Sequence, residues 1–129
     1  MHPESVPEDV EIQDRGRYLE VRYLGDFSVE RFNRQTDASV HACVEKKKPL
    51  LLIDVTGMIQ VPSLVERFEI AIHGARVGAG LRRIALLARA ELIDPGKFGV
   101  QVARNRGLST DVFTERPKAL AWLLAPKGE

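Results

Sequence analysis

Val10 and Ile12 alternate with polar neighbours, and Leu19, Val21 and Tyr23 repeat the pattern after Asp14-Arg15-Gly16-Arg17. A period of two marks half-buried strands, and a glycine such as Gly16 supplies the positive φ of a tight hairpin turn. The spacing predicts an antiparallel hairpin with one wet face. From Val29 the period lengthens. Val29, Phe32, Thr36, Val40 and Cys43 recur at steps of three and four, the single stripe of an amphipathic helix. Asp26 or Ser28 is placed to cap it, and Lys46-Lys47-Lys48 before Pro49 closes it.

Leu50-Leu51-Leu52-Ile53 is a continuous apolar run ending at Asp54, the mark of a strand covered on both faces. The loop Thr56–Val61 leads to Pro62 and Ser63, which suit a helix start. In the helix that follows, Leu64, Val65, Phe68, Ala71, Ile72 and Ala75 are expected to form the inner stripe, and Gly78-Ala79-Gly80 to stop it. Ile84–Ala88 reads as a second buried strand and 91–96 as a loop. A third helix is expected over about 95–106. Val112-Phe113 reads as a short last strand, after which Thr114 is expected to cap a final helix carrying Leu120, Leu123 and Leu124. Residues 1–8, with two prolines and no period, read as a flexible tail, and 9–129 as one domain. The order β-β-α-β-α-β-α-β-α implies an α/β fold: a mostly parallel sheet of four to five strands, an antiparallel N-terminal hairpin and about four helices.

Composition narrows the function. A chain of 129 residues, 44 % hydrophobic, buries roughly two-thirds of its unfolded surface and needs neither disulfide nor metal to fold. With 19 basic and 18 acidic residues, bulk charge gives no support to nucleic-acid binding. One cysteine, Cys43, excludes an internal disulfide and Cys-rich zinc sites. No apolar run approaches the ~20 residues of a membrane span. The start, MHPESVPEDVE, is polar and acidic, unlike a signal peptide. A soluble, cytoplasmic protein is the expectation.

Three segments carry a resemblance: LLLIDVTGMIQVPSLVERFEIAIHGARVG at 50–78, RRIALLA at 82–88 and DVFTERPKALAWLL at 111–124. Together they resemble the SpoIIAA-like branch of the STAS superfamily, over about residues 10–124. The buried strand ending in Asp54, the short loop, the helix and the closing Ala119-Leu120-Ala121-Trp122-Leu123 match its pattern. The resemblance implies a fold without enzymatic activity, used by anti-sigma factor antagonists that bind protein partners. Those proteins carry a phosphorylatable serine in a pattern like D-x-S-G-x-x-x-x-D-S-S-G. Here Asp54 and Gly57 match, Thr56 is a conservative counterpart, Pro62 replaces the acidic residue, and Ser63 matches the first serine. Leu64 stands where the phosphorylated serine would be, which argues against a phosphorylation switch. The branch is also related to Sec14-type domains, which bind lipids and other apolar ligands.

Each candidate residue has a structural alternative. Asp54 lies at the carboxyl end of a central strand, where α/β sheets bind ligands, or accepts hydrogen bonds from the next loop. Ser63 suits a phosphate at a helix N-terminus or a plain cap. His2, His41 and His73 have no partner at metal-ligand spacing, so no metal or other cofactor is expected. No G-x-S-x-G elbow is present, and no Ser-His-Asp set is legible, so no catalytic residue is assigned. Gly74, Gly78 and Gly80 follow a helix rather than open one, unlike a phosphate loop. Lys46, Lys47, Lys48, Arg82, Arg83, Arg104 and Arg106 are expected at one sheet edge, as helix-dipole compensation or as a basic rim for an acidic partner or anionic membrane surface.

The favoured reading is a regulatory or partner-binding module. The loop of Asp54, Thr56, Gly57, Met58, Ile59, Val61 and Ser63 would form its contact, because Met58, Ile59 and Val61 place three apolar side chains beside a helix start. The alternative is an apolar-ligand or lipid-binding domain with this loop at the lip of a pocket. On the second helix Ile70, His73, Gly74 and Val77 are expected to face outward, where they would serve as the interface of a symmetric homodimer.

Overall fold

A computed structural model of the chain describes residues 7–126. Most of the stretch read as a tail, residues 1–6, lies outside the described residues. The elements follow the expected order: β1 (Val10–Asp14), β2 (Leu19–Tyr23), α1 (Val29–Glu45), β3 (Leu50–Asp54), α2 (Leu64–Gly78), β4 (Arg83–Leu87), α3 (Phe98–Asn105), β5 (Thr110–Phe113) and α4 (Arg116–Leu123). A 3-10 turn at Ala90–Leu92 precedes α3. The five strands lie in sequence order, β1 antiparallel to β2 and every other pair parallel.

The period of two sorts the sheet into two faces. Leu19, Val21, Tyr23, Leu51 and Ile53 join one core with Phe32 and Cys43 of α1, Ala71 and Ala75 of α2, and Val102 and Ala103 of α3. Leu50, Leu52, Ala85 and Leu87 point the other way and pack on Ala119 and Leu123 of α4. β3 is buried along its whole length, as its unbroken apolar run requires.

Several local expectations are corrected. Gln35 and Ser39 are buried on α1, while Val29 and Val40 are only half-buried. The reason is a polar chain through the core: the Ser39 hydroxyl lies 3.2 Å from Tyr23 Oη, which lies 3.2 Å from Thr36 Oγ1. Gln35 Nε2 donates to the carbonyl oxygens of Asp9 and Leu24, both at 2.9 Å. Of the two candidate caps of α1, Ser28 acts, accepting from Arg31 N at 3.0 Å. α3 begins at Phe98 rather than 95. Both Asp94 carboxylate oxygens accept from Phe98 N, and Lys97 enters with a left-handed φ of 51°. Glu115, not Thr114, precedes α4, and it makes no side-chain cap.

Candidate functional site

The loop after β3 is built on Asp54. Its side chain points to the α4 face and is 2 % exposed. Oδ1 accepts from Thr56 N at 2.8 Å and from Thr56 Oγ1 at 2.6 Å. A carboxylate so placed closes an Asx turn, and Met58 N to Val55 O at 3.0 Å completes the bend. Met58 turns inward onto the core. Gly57, Ile59 and Val61 face out, and Pro62 is buried. Ser63 then opens α2 with a reciprocal capping box: Glu66 N donates to Ser63 Oγ at 3.1 Å, and Ser63 N donates to Glu66 Oε1 at 2.8 Å.

α2 is rotated and displaced relative to its apolar pattern. Ala71, Ala75 and Gly78 are its buried residues. Leu64 lies within about 20° of Ala71 on the helical wheel, two turns earlier, yet is 61 % exposed. Among the described residues, the first turn of α2 therefore lacks a cover. Val65 at 68 % and Phe68 at 39 % extend the same surface, with Ile59 at 68 % and Val61 at 59 % beside them in the loop. Leu64, Val65 and Phe68 are thus not core residues. With Ile59 and Val61 they put five large apolar side chains in water within ten positions. Scattered exposed apolar residues are ordinary, whereas a contiguous group marks a contact surface. Arg106 stacks its guanidinium 5.5 Å from the Phe68 ring centre and gives this surface a basic edge.

The expected outer face of α2 turns inward. His73 Nε2 meets Asp37 Oδ1 of α1 at 2.6 Å. Ile70 packs on the core, Ile70 and Gly74 line a cavity, and Val77 is half-buried. The seven-residue spacing of Ile70 and Val77 marks a helix edge, and between them His73 is bonded to Asp37 of α1 in the same chain. Sequence alone could not separate an intramolecular seam from an intermolecular one.

Beneath α2 lies a cavity of about 150 Å³. Ile53, Ile84 and Leu86 of the sheet form its floor, and Ala71 and Gly74 leave room in its roof. Arg67, Asp94 and Lys97 are the charged residues that line it. Arg67 went unnoticed in the sequence because a charged residue at a helix position is read as solvated.

On the opposite sheet face Arg116 joins two buried carboxylates. Its NH1 is 2.8 Å from Glu20 Oε1 and its NH2 3.6 Å from Asp54 Oδ2. Arg15 Nε adds a contact to Glu20 at 3.2 Å, and Arg22 Nε stands 3.7 Å from Asp54. Burial pushes the Glu20 carboxyl up, but the hydrogen bonds and charges of Arg116 and Arg15 outweigh it and hold the group below the usual glutamate value. Arg116 is raised in turn, chiefly by its hydrogen bond to Glu20. This cluster fastens α4 to β2 and β3.

Of the seven basic residues expected on one sheet edge, Arg83, Arg104 and Lys48 are committed to other groups. Arg83 donates to the carbonyl oxygens of Leu123, Ala125 and Pro126 at the end of α4. Arg104 pairs with Asp111 at 3.2 Å and Lys48 with Asp14 at 3.1 Å. Helix-end carbonyls and neighbouring carboxylates account for these charges. Among the described residues no group of three His, Cys, Asp or Glu is placed to hold a metal ion. No described helix is long and apolar enough to cross a membrane.

No protein-family model matches the chain, and no curated protein matches it. Among solved structures, an anti-sigma factor antagonist from Mycobacterium paratuberculosis is similar in fold, with a TM-score of 0.60 over 94 % of this chain and 96 % of that one. The two are 16 % identical in sequence. The architecture expected from the resemblance to SpoIIAA-like proteins is the one observed.

Proposed function

We propose that this chain is a non-enzymatic, STAS-like regulatory module of the cytoplasm that binds a protein partner through Ile59, Val61, Leu64, Val65 and Phe68. The observation that carries the reading is the uncovered first turn of α2 beside an apolar loop. The likeness in fold to an anti-sigma factor antagonist supports it. Asp54 and Thr56 set the loop, and the Ser63–Glu66 box fixes where α2 begins, so the surface is preformed. Ser63 serves as a cap in this reading and Leu64 as a contact, without a phosphorylation switch. Affinity capture from the source cell, compared by quantitative mass spectrometry between the unaltered chain and a Leu64→Ser/Val65→Ser variant, tests it. A protein enriched by the first and lost from the folded second is the expected result. Identical profiles overturn the proposal. A homodimer through Ile70, His73, Gly74 and Val77 is no part of it, because His73 is bonded to Asp37 of α1 and Ile70 packs on the core.

A second reading, an apolar-ligand domain of Sec14-like type, is favoured by the cavity beneath α2. Its walls are mostly apolar, and Met58 of the loop is one of the residues that line it. Mass spectrometry of an organic extract of the purified protein checks for a retained molecule.

A further inference from the structure

The cavity has one cation whose pairing is incomplete. Arg67 sits on the inward side of α2, about 40° from Ala71 on the helical wheel, and only 14 % of its side chain is exposed. Its Nε donates to Pro62 O at 3.2 Å and its NH1 to Leu92 O at 2.8 Å. The nearest carboxylate oxygen, Asp94 Oδ1, is 3.7 Å from NH1, too far for a hydrogen bond. Both oxygens of Asp94 accept instead from Phe98 N, at 3.1 and 3.0 Å. Arg67 NH2 donates to no other described residue and is open to solvent at the edge of the guanidinium. The other cation of the lining, Lys97, is paired with Asp111 at 3.1 Å. A mostly buried guanidinium with two carbonyl acceptors and one ion pair at 3.7 Å keeps one amino group free to donate to a further anion.

The space in front of it is defined. A cavity near 150 Å³ holds a molecule of about benzene size. At Gly74 an added Cβ would meet nothing within 4 Å. The floor of Ile53, Ile84 and Leu86 offers no polar side chain to a ligand's body.

We infer that this cavity binds a compact organic carboxylate: a ring or short chain of about six carbons lies under Ala71 and Gly74, and its carboxylate meets Arg67. The inference rests on the apolar-ligand reading and adds the charge and size of the ligand. A planar carboxylate suits the planar guanidinium, and the apolar body gains from leaving water.

Isothermal titration calorimetry with benzoate and with benzamide, its uncharged counterpart, tests it at constant ionic strength. Benzoate should bind at least ~10-fold more tightly, the worth of one charge-assisted hydrogen bond. Arg67→Met should remove that preference, so that the two probes bind with affinities within about 2-fold of each other. Gly74→Leu, growing into the open space, should abolish binding of both. Equal affinities for the two probes, or a benzoate preference untouched by Arg67→Met, overturn the inference while leaving an apolar-ligand site in place. Binding unaffected by Gly74→Leu places the ligand elsewhere and also overturns it. Absence of binding by either probe overturns the inference and the ligand reading together. If Arg67→Met does not fold, the comparison of benzoate with benzamide on the unaltered chain decides the matter.

Discussion

His73 Nε2 stands 2.6 Å from Asp37 Oδ1, tying the middle of α2 to α1. Ile70 lies one turn earlier on the same edge and packs against the core. Ile70→Asp therefore places a carboxylate in a largely apolar setting and removes packing contacts. It should cost about 2–4 kcal/mol of stability, read from urea unfolding. Light scattering after gel filtration should give the same mass for both proteins. A dimer converted to a monomer of unchanged stability would contradict this placement of α2.

Glu20 gives the fold a defined acid response. Its carboxyl is held below the usual glutamate value, so the ionised form is favoured in the folded chain. The stabilisation is complete above the unfolded-chain value of about 4.5 and is lost as pH falls through the lower folded value. Glu20→Gln should lose about 1–3 kcal/mol at pH 7. The difference from the unaltered chain should narrow steadily in acid. Unfolding curves taken between pH 7 and pH 3 check the sign, and a gap that widens in acid would contradict it.

Ser63 is expected to matter as a cap. Ser63→Ala breaks the reciprocal box with Glu66 and should destabilise the chain by about 1 kcal/mol. Ser63→Asp keeps an acceptor and a favourable charge at the helix start, and should recover most of that loss. Thermal unfolding of the three proteins distinguishes the outcomes. Phosphopeptide mapping after incubation with a kinase fraction and ATP should find no stoichiometric phosphate on Ser63 or Thr56.

Cys43 should be inert while the chain is folded. It is fully buried on α1, and burial pushes its thiol up to about 12. At pH 8 the thiolate that alkylating agents require is scarce, and access is closed. Iodoacetamide should therefore label Cys43 only at the rate at which the chain opens. Rapid labelling under native conditions would show that α1 is loosely packed.

The sequence by itself determined the order of elements and the cover on both faces of β3, and it offered the turn at Asp54 as one of two readings. Each of these rests on local physics. A period of two sorts strand residues between faces, an unbroken apolar run demands cover on both sides, and an Asp at a strand end finds the nearest loop N–H. The rotation of α2 was different in kind. Leu64, Val65 and Phe68 recur at helical spacing just as core residues do. Only the placement of neighbouring elements decides which turns receive a cover, and the first turn of α2 receives none from the described residues. Tertiary structure likewise gave Ile70 and His73 their neighbour, brought Glu20 and Asp54 to Arg116 across 96 and 62 positions of the chain, and set Arg67 against the cavity. Each depends on residues far apart in sequence, which no local pattern encodes.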